Sequence, residues 1–242
     1  MCREMKQVGT RTLIVDLRRN EGGNSATAEI LTYFLYGEER LLEIEADQIE
    51  ILRCSPSYLE RHPGVNLDNF QEQQCIHVCA GDYVFEPREY PGKPPDSQEV
   101  RIQFEKWAES MPTFNAEYLS GEHGGRYTPE RVFMISSART FSFGYTLMYY
   151  LWQAGAEVVG VPSAQAGNCF GDIMDFTLSN SELYFTVPCK YFVKFPGDPD
   201  KSKVLMPEFP LTYEILWSYN FDIHASILYA MDLARQPRPD GK

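Results

Sequence analysis

The sequence predicts an α/β fold with a mostly parallel core sheet, an additional antiparallel hairpin and an inserted, partly helical segment. Three observations predict it. Residues 12–17 and 131–136 are short β-branched apolar runs, as strands buried on both faces require. Each run is followed by a turn and then by apolar residues at helical spacing. The connections are short, which favours parallel strands joined by right-handed crossovers.

The first strand, residues 12–17, closes with Arg18, Arg19 and Asn20 and runs into Glu21-Gly22-Gly23. Asn24 or Ser25 can cap the helix that follows, whose Ile30, Leu31, Phe34 and Leu35 share a face, and Gly37 can end it. From 38 to 127 the periodicity weakens, and Pro56, Pro63, Pro87, Pro91, Pro94 and Pro95 break any long element, so this stretch reads as an insertion. Within it Val100, Phe104, Trp107 and Met111 recur as one amphipathic helix would, and residues 121–125 form a glycine-rich loop.

The second unit repeats the first. Its strand, 131–136, leads through a turn into a helix that starts near Ser142, carries Leu147, Met148, Leu151 and Trp152, and stops at Gly155. Residues 157–161 read as a third strand. Residues 173–178 and 183–187 flank Ser179-Asn180-Ser181-Glu182 as a hairpin, followed by a strand from Lys190 to Phe195. Asp222 can cap a last helix with Ile223, Ile227 and Met231 on one face, and 236–242 reads as a frayed tail. The expected organisation is a single domain over 1–242, with 38–127 inserted in it.

Composition narrows the partners. With 34 acidic against 22 basic residues the formal charge is −12, which repels phosphate backbones and anionic headgroups alike. Nucleic acid is therefore excluded as a natural partner. No apolar run reaches the roughly 20 residues that span a bilayer, and the residues from Met1 lack the apolar core of a signal peptide. Six cysteines are scattered without framework spacing. Cys75, His77 and Cys79 could offer ligands, but no second pair follows at zinc-site spacing, so no metal is expected.

Ser142 is the first candidate for chemistry. At the start of a helix its hydroxyl lies at the positive end of the dipole, beside unpaired backbone N–H groups, where an alkoxide is favoured. A plain N-cap serine would occupy the same place. Gly22 and Gly23, after a buried strand, leave amides unshielded by side chains, and the amide of Phe143 adjoins the serine; such donors can hold an oxyanion.

These pieces resemble the S41 serine peptidases, the tail-specific or C-terminal-processing proteases and their tricorn-like relatives. The motif Asp-Leu-Arg-x-Asn-x-Gly-Gly is matched by residues 16–23, Thr-x-Ser by Thr140-Phe141-Ser142, the Val-Gly strand by Val159-Gly160, and a later proline-acid step by Pro207-Glu208. The likeness covers 11–37 and about 130–234. It implies the ClpP/crotonase-like spiral of ββα units, Ser142 as nucleophile, and the amides of Gly22 or Gly23 and Phe143 as oxyanion hole. It further implies that this chain is a C-terminal catalytic region lacking an N-terminal part, and that the protein works outside the cytoplasm, in the periplasm or at the cell surface.

The general base stays unassigned. The lysine of the tail-specific branch is replaced here by Pro162 or a neighbour, and tricorn-like members take a histidine from upstream of the Asp-Leu-Arg motif, so a missing N-terminal segment is the expected source. Within the chain His123, in its glycine-rich loop, is the first candidate; His62, His77 and His224 read as surface or structural residues, and Lys190 and Lys194 as solvent-facing strand residues, although a desolvated lysine could act as base. Gln165 and Asn168, in the polar loop after the third strand, could support the substrate or the hole. Cys169 has neither a base nor a helix start beneath it.

The function expected is a serine peptidase that cleaves peptides or unfolded protein through an acyl-enzyme at Ser142, with no organic or metal cofactor. The alternative is an inactive S41-like module that binds peptide or an apolar ligand. A crotonase-type acyl-CoA enzyme would also pair amides around an oxyanion, but the Thr140-Phe141-Ser142 step and the Arg18/Asn20 pattern argue against it.

Overall fold

The computed structural model describes residues 1–24, 26–65, 77–79, 98, 102 and 126–237. It divides into two compact units. The first comprises residues 1–41, 116–165 and 204–242, and the second residues 42–115 and 166–203.

The first unit holds a four-stranded, wholly parallel sheet in the order β1-β4-β5-β8, built from β1 (Thr12–Asp16), β4 (Arg131–Ser136), β5 (Glu157–Gly160) and β8 (Phe209–Pro210). β4 is buried along its whole length, as its run of apolar residues requires. β1 is only half-buried; it pairs with β4 alone among the described strands, and this edge position corrects the expectation of burial on both faces.

Two strand-turn-helix units repeat along this sheet, β1 with α2 (Ala26–Tyr36) and β4 with α5 (Phe143–Gln153). α2 packs on α5. Gly37, at φ 93°, ends α2 as expected, because a left-handed residue there carries no Cβ penalty. α5 is apolar on nearly every face and buries Tyr145, Leu147, Met148, Tyr149, Tyr150 and Leu151. α1 (Cys2–Val8) and α6 (Tyr213–Ser218) complete the set with α7 (Ala225–Arg235), which lies on β4 and β5.

α7 begins at Ala225, with His224 at its N-cap, rather than at Asp222. Its buried face is Ala225, Ser226, Ala230 and Leu233; Ile223 and Met231 are exposed, so the expected apolar stripe is displaced from Ile223 and Met231. A buried ion pair joins the strands: Arg131 donates to Glu157 Oε2 through Nε and Nη2 at 3.1 and 3.0 Å, and through Nη1 to the carbonyls of Leu233 and Gln236. The carbonyls satisfy donors the carboxylate cannot reach, which is what makes such burial tolerable.

The second unit holds a mixed sheet in the order β3-β2-β7-β6. The expected hairpin is present as β6 (Asn168–Thr177) and β7 (Tyr184–Val193), antiparallel and closed by Leu178 N–H donating to Leu183 O at 3.0 Å. β7 continues through Lys190, so the separate following strand is one with it. β2 (Ile49–Arg53) pairs antiparallel with β7 and parallel with β3 (His77–Cys79). β2, α3 (Glu38–Ala46) and α4 (Pro56–Arg61) lie in the stretch where the prolines were expected to break any long element, and all three are short. Pro56 opens a helix instead, at the first position, where its missing N–H costs nothing, and Ser55 Oγ caps it by accepting Tyr58 N–H at 3.1 Å. The helix expected over Val100 to Met111 lies outside the described residues.

Lys190 and Lys194 are not solvent-facing. Lys190 Nζ lies 3.3 Å from Glu50 Oε2 and 3.2 Å from Asp172 Oδ2, and Lys194 Nζ donates to Gln48 Oε1 at 3.0 Å. β7 is covered by a neighbouring strand on each edge, and strand alternation alone could not tell that both its lysines would be held by partners.

Candidate active site

The site is assembled from two turns, one after β1 and one after β4. Asp16, at the end of β1, accepts from Arg18 through Nε at 2.8 Å and Nη2 at 2.7 Å, and Arg18 Nη1 reaches Ser226 Oγ at 3.0 Å. The Asp-Leu-Arg step thereby pins the turn to α7. Arg18 holds the Asp16 carboxyl below the ordinary carboxylate range by that side-chain hydrogen bond, against the opposing effect of partial burial.

The second turn is laced to the first by its small polar residues. Thr140 Oγ1 donates to Leu17 O at 2.9 Å, Ser137 Oγ to Arg18 O at 2.7 Å, and Phe141 N–H to Asn20 O at 2.9 Å. Arg139 and Glu21 form an ion pair across the gap. Gly144 closes the arrangement: a Cβ there would lie 2.3 Å from Asn20 O, so the backbone of the first turn rests directly on the first turn of α5.

Ser142 sits where these elements meet. It is the N-cap of α5, exposed, with φ 52° and ψ −118°, a backbone conformation that L residues rarely adopt. Its hydroxyl does not cap the helix, which sets aside the plain N-cap role for this serine. A Cβ at Gly22 would lie 3.5 Å from Ser142 Cβ and 3.7 Å from its Oγ, and one at Gly23 would lie 3.4 Å from the ring of Phe143. The diglycine therefore runs in contact with residues 142 and 143. Gly22 and Gly23 have φ 156° and 148°, which glycine alone adopts without strain.

The candidate oxyanion donors differ in state. Gly22 N–H donates to Asn20 Oδ1 at a long 3.3 Å, while the amides of Gly23 and Phe143 bond to no other described residue. An open cavity of about 380 Å³, lined by Asp16, Arg19, Asn20, Glu21 and Gly22, adjoins this bend.

Gln165 is buried at 8% exposure, and its Oε1 accepts the backbone N–H of Ser142 at 2.5 Å. Gln165 is itself held, its N–H donating to Ser163 Oγ at 3.0 Å while that hydroxyl donates to Thr140 O. Thr140, Ser163 and Gln165 thus form a chain that ends on Ser142. Ser163 and the role of Thr140 were not anticipated; buried hydroxyls spaced to face a turn would have been the only signal.

The remaining candidates belong to other elements. Asn168 begins β6 in the second unit, where its Oδ1 accepts from the amides of Lys194 and Phe195 at 2.9 and 3.1 Å and so clamps that strand end. His62 ends α4, with Nδ1 2.9 Å from Tyr58 O and its ring stacked on Tyr58. His224 is exposed at the N-cap of α7. His123, the side chain of His77 and Cys75 lie outside what the structure describes. Cys169 is half-buried within β6, and burial, reinforced by Asp172, pushes the Cys189 thiol up to about 11, away from nucleophilic use. Glu208, of the proline-acid step, accepts from Trp152 Nε1 and Val158 N–H, each at 2.8 Å, and so braces β5. Among the described residues no group of three His, Cys, Asp or Glu side chains could hold a metal, and no helix is long and apolar enough to cross a membrane.

Fold and site together define an α/β protein that presents a strained, exposed serine against a diglycine turn. No protein-family model matches the chain, and no curated protein does. Among the solved structures it resembles are proteases. One is a protein assigned to the S41 proteases from Bacteroides fragilis NCTC 9343, at 15% identity and TM-score 0.46, covering 96% of this chain and 46% of that one. A second is a photosystem II D1 C-terminal processing protease, at 13% identity and TM-score 0.39, covering 88% and 38%. A third is mature CPAF complexed with lactacystin, at 16% identity and TM-score 0.47, covering 95% and 47%. The chain spans under half the length of each of these structures.

Proposed function

We infer that this chain is the catalytic region of a serine peptidase in which Ser142 attacks the carbonyl carbon of a peptide bond. The supporting observation is the approach of Ser142 to Gly22, with the hydroxyl uncommitted to the helix and the amides of Gly23 and Phe143 open beside it. A base takes the hydroxyl proton, the carbonyl oxygen becomes an oxyanion held by those amides, and the proton passes to the departing amine as the tetrahedral species collapses to an ester. Water then releases the second product by the same route. The base belongs to residues outside those described, and an upstream segment of the same protein is the source implied by the S41 resemblance. That resemblance also carries the choice of peptide chain ends as substrate and the placement outside the cytoplasm.

One observation favours a second reading. The hydroxyl of Ser142 contacts no base among the described residues, as it would in a module that retained the fold to bind peptide without cleaving it. A fluorophosphonate probe separates the two. Labelling of the full-length protein that disappears in Ser142→Ala supports the peptidase; a folded full-length protein that stays unlabelled assigns it to binding alone.

A further inference from the structure

The turn between β1 and the diglycine carries one charge that the catalytic reading does not use. Asn20 N–H donates to Leu17 O at 3.1 Å, so Arg18 and Arg19 are the two central residues of a tight turn. Arg18 is engaged by Asp16 and Ser226, and Arg139, from the second turn, by Glu21. Arg19 is exposed, and among the described residues nothing pairs with its guanidinium. It falls on a place that the motif Asp-Leu-Arg-x-Asn-x-Gly-Gly leaves unspecified. Neither pairing nor burial accounts for this arginine.

Its position ties it to the serine. Arg19 lines the open cavity of about 380 Å³ together with Asp16, Asn20, Glu21 and Gly22. Gly22 belongs both to this cavity and to the site, since a Cβ there would lie 3.7 Å from Ser142 Oγ. Three residues of extended chain span at most about 11 Å, and the turn shortens the path from Arg19 to Gly22. A group held by Arg19 in the cavity therefore lies within about four substrate residues of the carbonyl that Ser142 would attack. The volume suits one substrate side chain or chain end rather than a second folded surface.

Charge selects the occupant. Around the turn the guanidiniums of Arg18, Arg19 and Arg139 meet the carboxylates of Asp16 and Glu21. The two ion pairs cancel, and Arg19 leaves a positive charge at this place on a chain whose formal charge is −12. A cationic group finds no open acid here, because each carboxylate in the cavity wall is already held by an arginine. A polyanion is repelled by the chain as a whole. A single carboxylate fits both conditions, since one guanidinium presents the paired N–H donors that its two oxygens accept.

Building on the peptidase reading of Ser142, we propose that Arg19 determines specificity by holding a substrate carboxylate, borne either by the peptide chain end or by an Asp or Glu side chain a few residues from the scissile bond. The guanidinium donates to both carboxylate oxygens and takes no proton in the reaction.

The test is fluorescence anisotropy of three short alanine–serine peptides, each with an uncharged dye at its N-terminus, titrated with full-length protein carrying Ser142→Ala, which leaves them uncut. One peptide is amidated and neutral, one ends in a free carboxylate, and one is amidated with an aspartate at its centre. At least one carboxylate peptide should bind about fivefold or more tightly than the neutral one, and the peptide that gains names the source. Arg19→Gln should remove the gain, Arg19→Lys should keep part of it, and high salt should weaken it. Arg19 is exposed and unpaired, and unchanged circular dichroism confirms that its variants fold. Equal binding of all three peptides, a gain that survives Arg19→Gln, or no binding at all overturns the proposal. Arg19-dependent binding by a protein whose Ser142 resists fluorophosphonate removes the peptidase reading and leaves the carboxylate site to a binding module; labelling of Ser142 with no effect of Arg19 on binding does the reverse.

Discussion

The side-chain oxygen of Gln165 accepts the backbone N–H of Ser142 at 2.5 Å, and it does so from a buried position while Ser142 holds φ 52°. A residue 23 places downstream thereby helps keep the serine in a conformation that the chain would otherwise leave. The serine hydroxyl is free of capping duty because the backbone, not the side chain, is what the fold grips.

Replacing Gln165 should therefore alter reactivity through geometry. Gln165→Met keeps the volume but removes the acceptor, at a cost of about 1 to 2 kcal/mol, which corresponds to roughly tenfold slower fluorophosphonate labelling of Ser142. Gln165→Glu keeps an acceptor and should stay much closer to the parent rate. Equal rates for Met and Glu variants would show that the contact does not position the serine.

Gly144→Ala tests the seating of the two turns. Alanine normally gains about 1 kcal/mol over glycine inside a helix. Here its Cβ would press on Asn20 O at 2.3 Å, so the clash should win and cost about 1 to 3 kcal/mol. Urea unfolding should show a lowered midpoint, and labelling of Ser142 should fall with it as the diglycine moves. A raised midpoint would refute the close approach.

Lys190 supplies a pH dependence in the second unit. Burial opposes its charge, but Glu50 and Asp172 more than offset this and raise its pKa above the ordinary lysine value. A group raised on folding stabilises fully below its unfolded pKa, about 10.4, and loses that contribution as pH rises through the folded value. Lys190→Met should cost about 1 to 2 kcal/mol near neutrality, a modest figure because Asp172 and Glu50 are partly exposed. The gap between parent and variant in urea midpoint should hold from pH 7 to 9 and narrow above about pH 10.5. A gap that widens there would reverse the assignment.

Much of the framework was legible because it is local. The apolar runs of β1 and β4, the stop at Gly37 and the hairpin of β6 and β7 follow from side-chain period and turn chemistry, which act over a few residues. The strand β2 was not legible, because Ile49–Arg53 is made a strand by a partner some 140 residues away, and Pro56 shows that a proline can open a short helix as well as break a long one. The serine was visible as a helix-start residue beside a family-like motif; the strain at φ 52°, the Gln165 contact and the Thr140-Ser163 chain were not.

By itself, then, the order of residues determined the alternation of strands and helices, the acidic surface and the pairing of Ser142 with a diglycine motif. Tertiary structure alone decided which turn meets which, that Arg18 reaches Ser226, and that Lys190 and Lys194 point into partners. The physical reason is range: period, capping and turn preference are properties of neighbours along the chain, whereas contact, burial and hydrogen-bond satisfaction belong to groups that only the completed fold brings together.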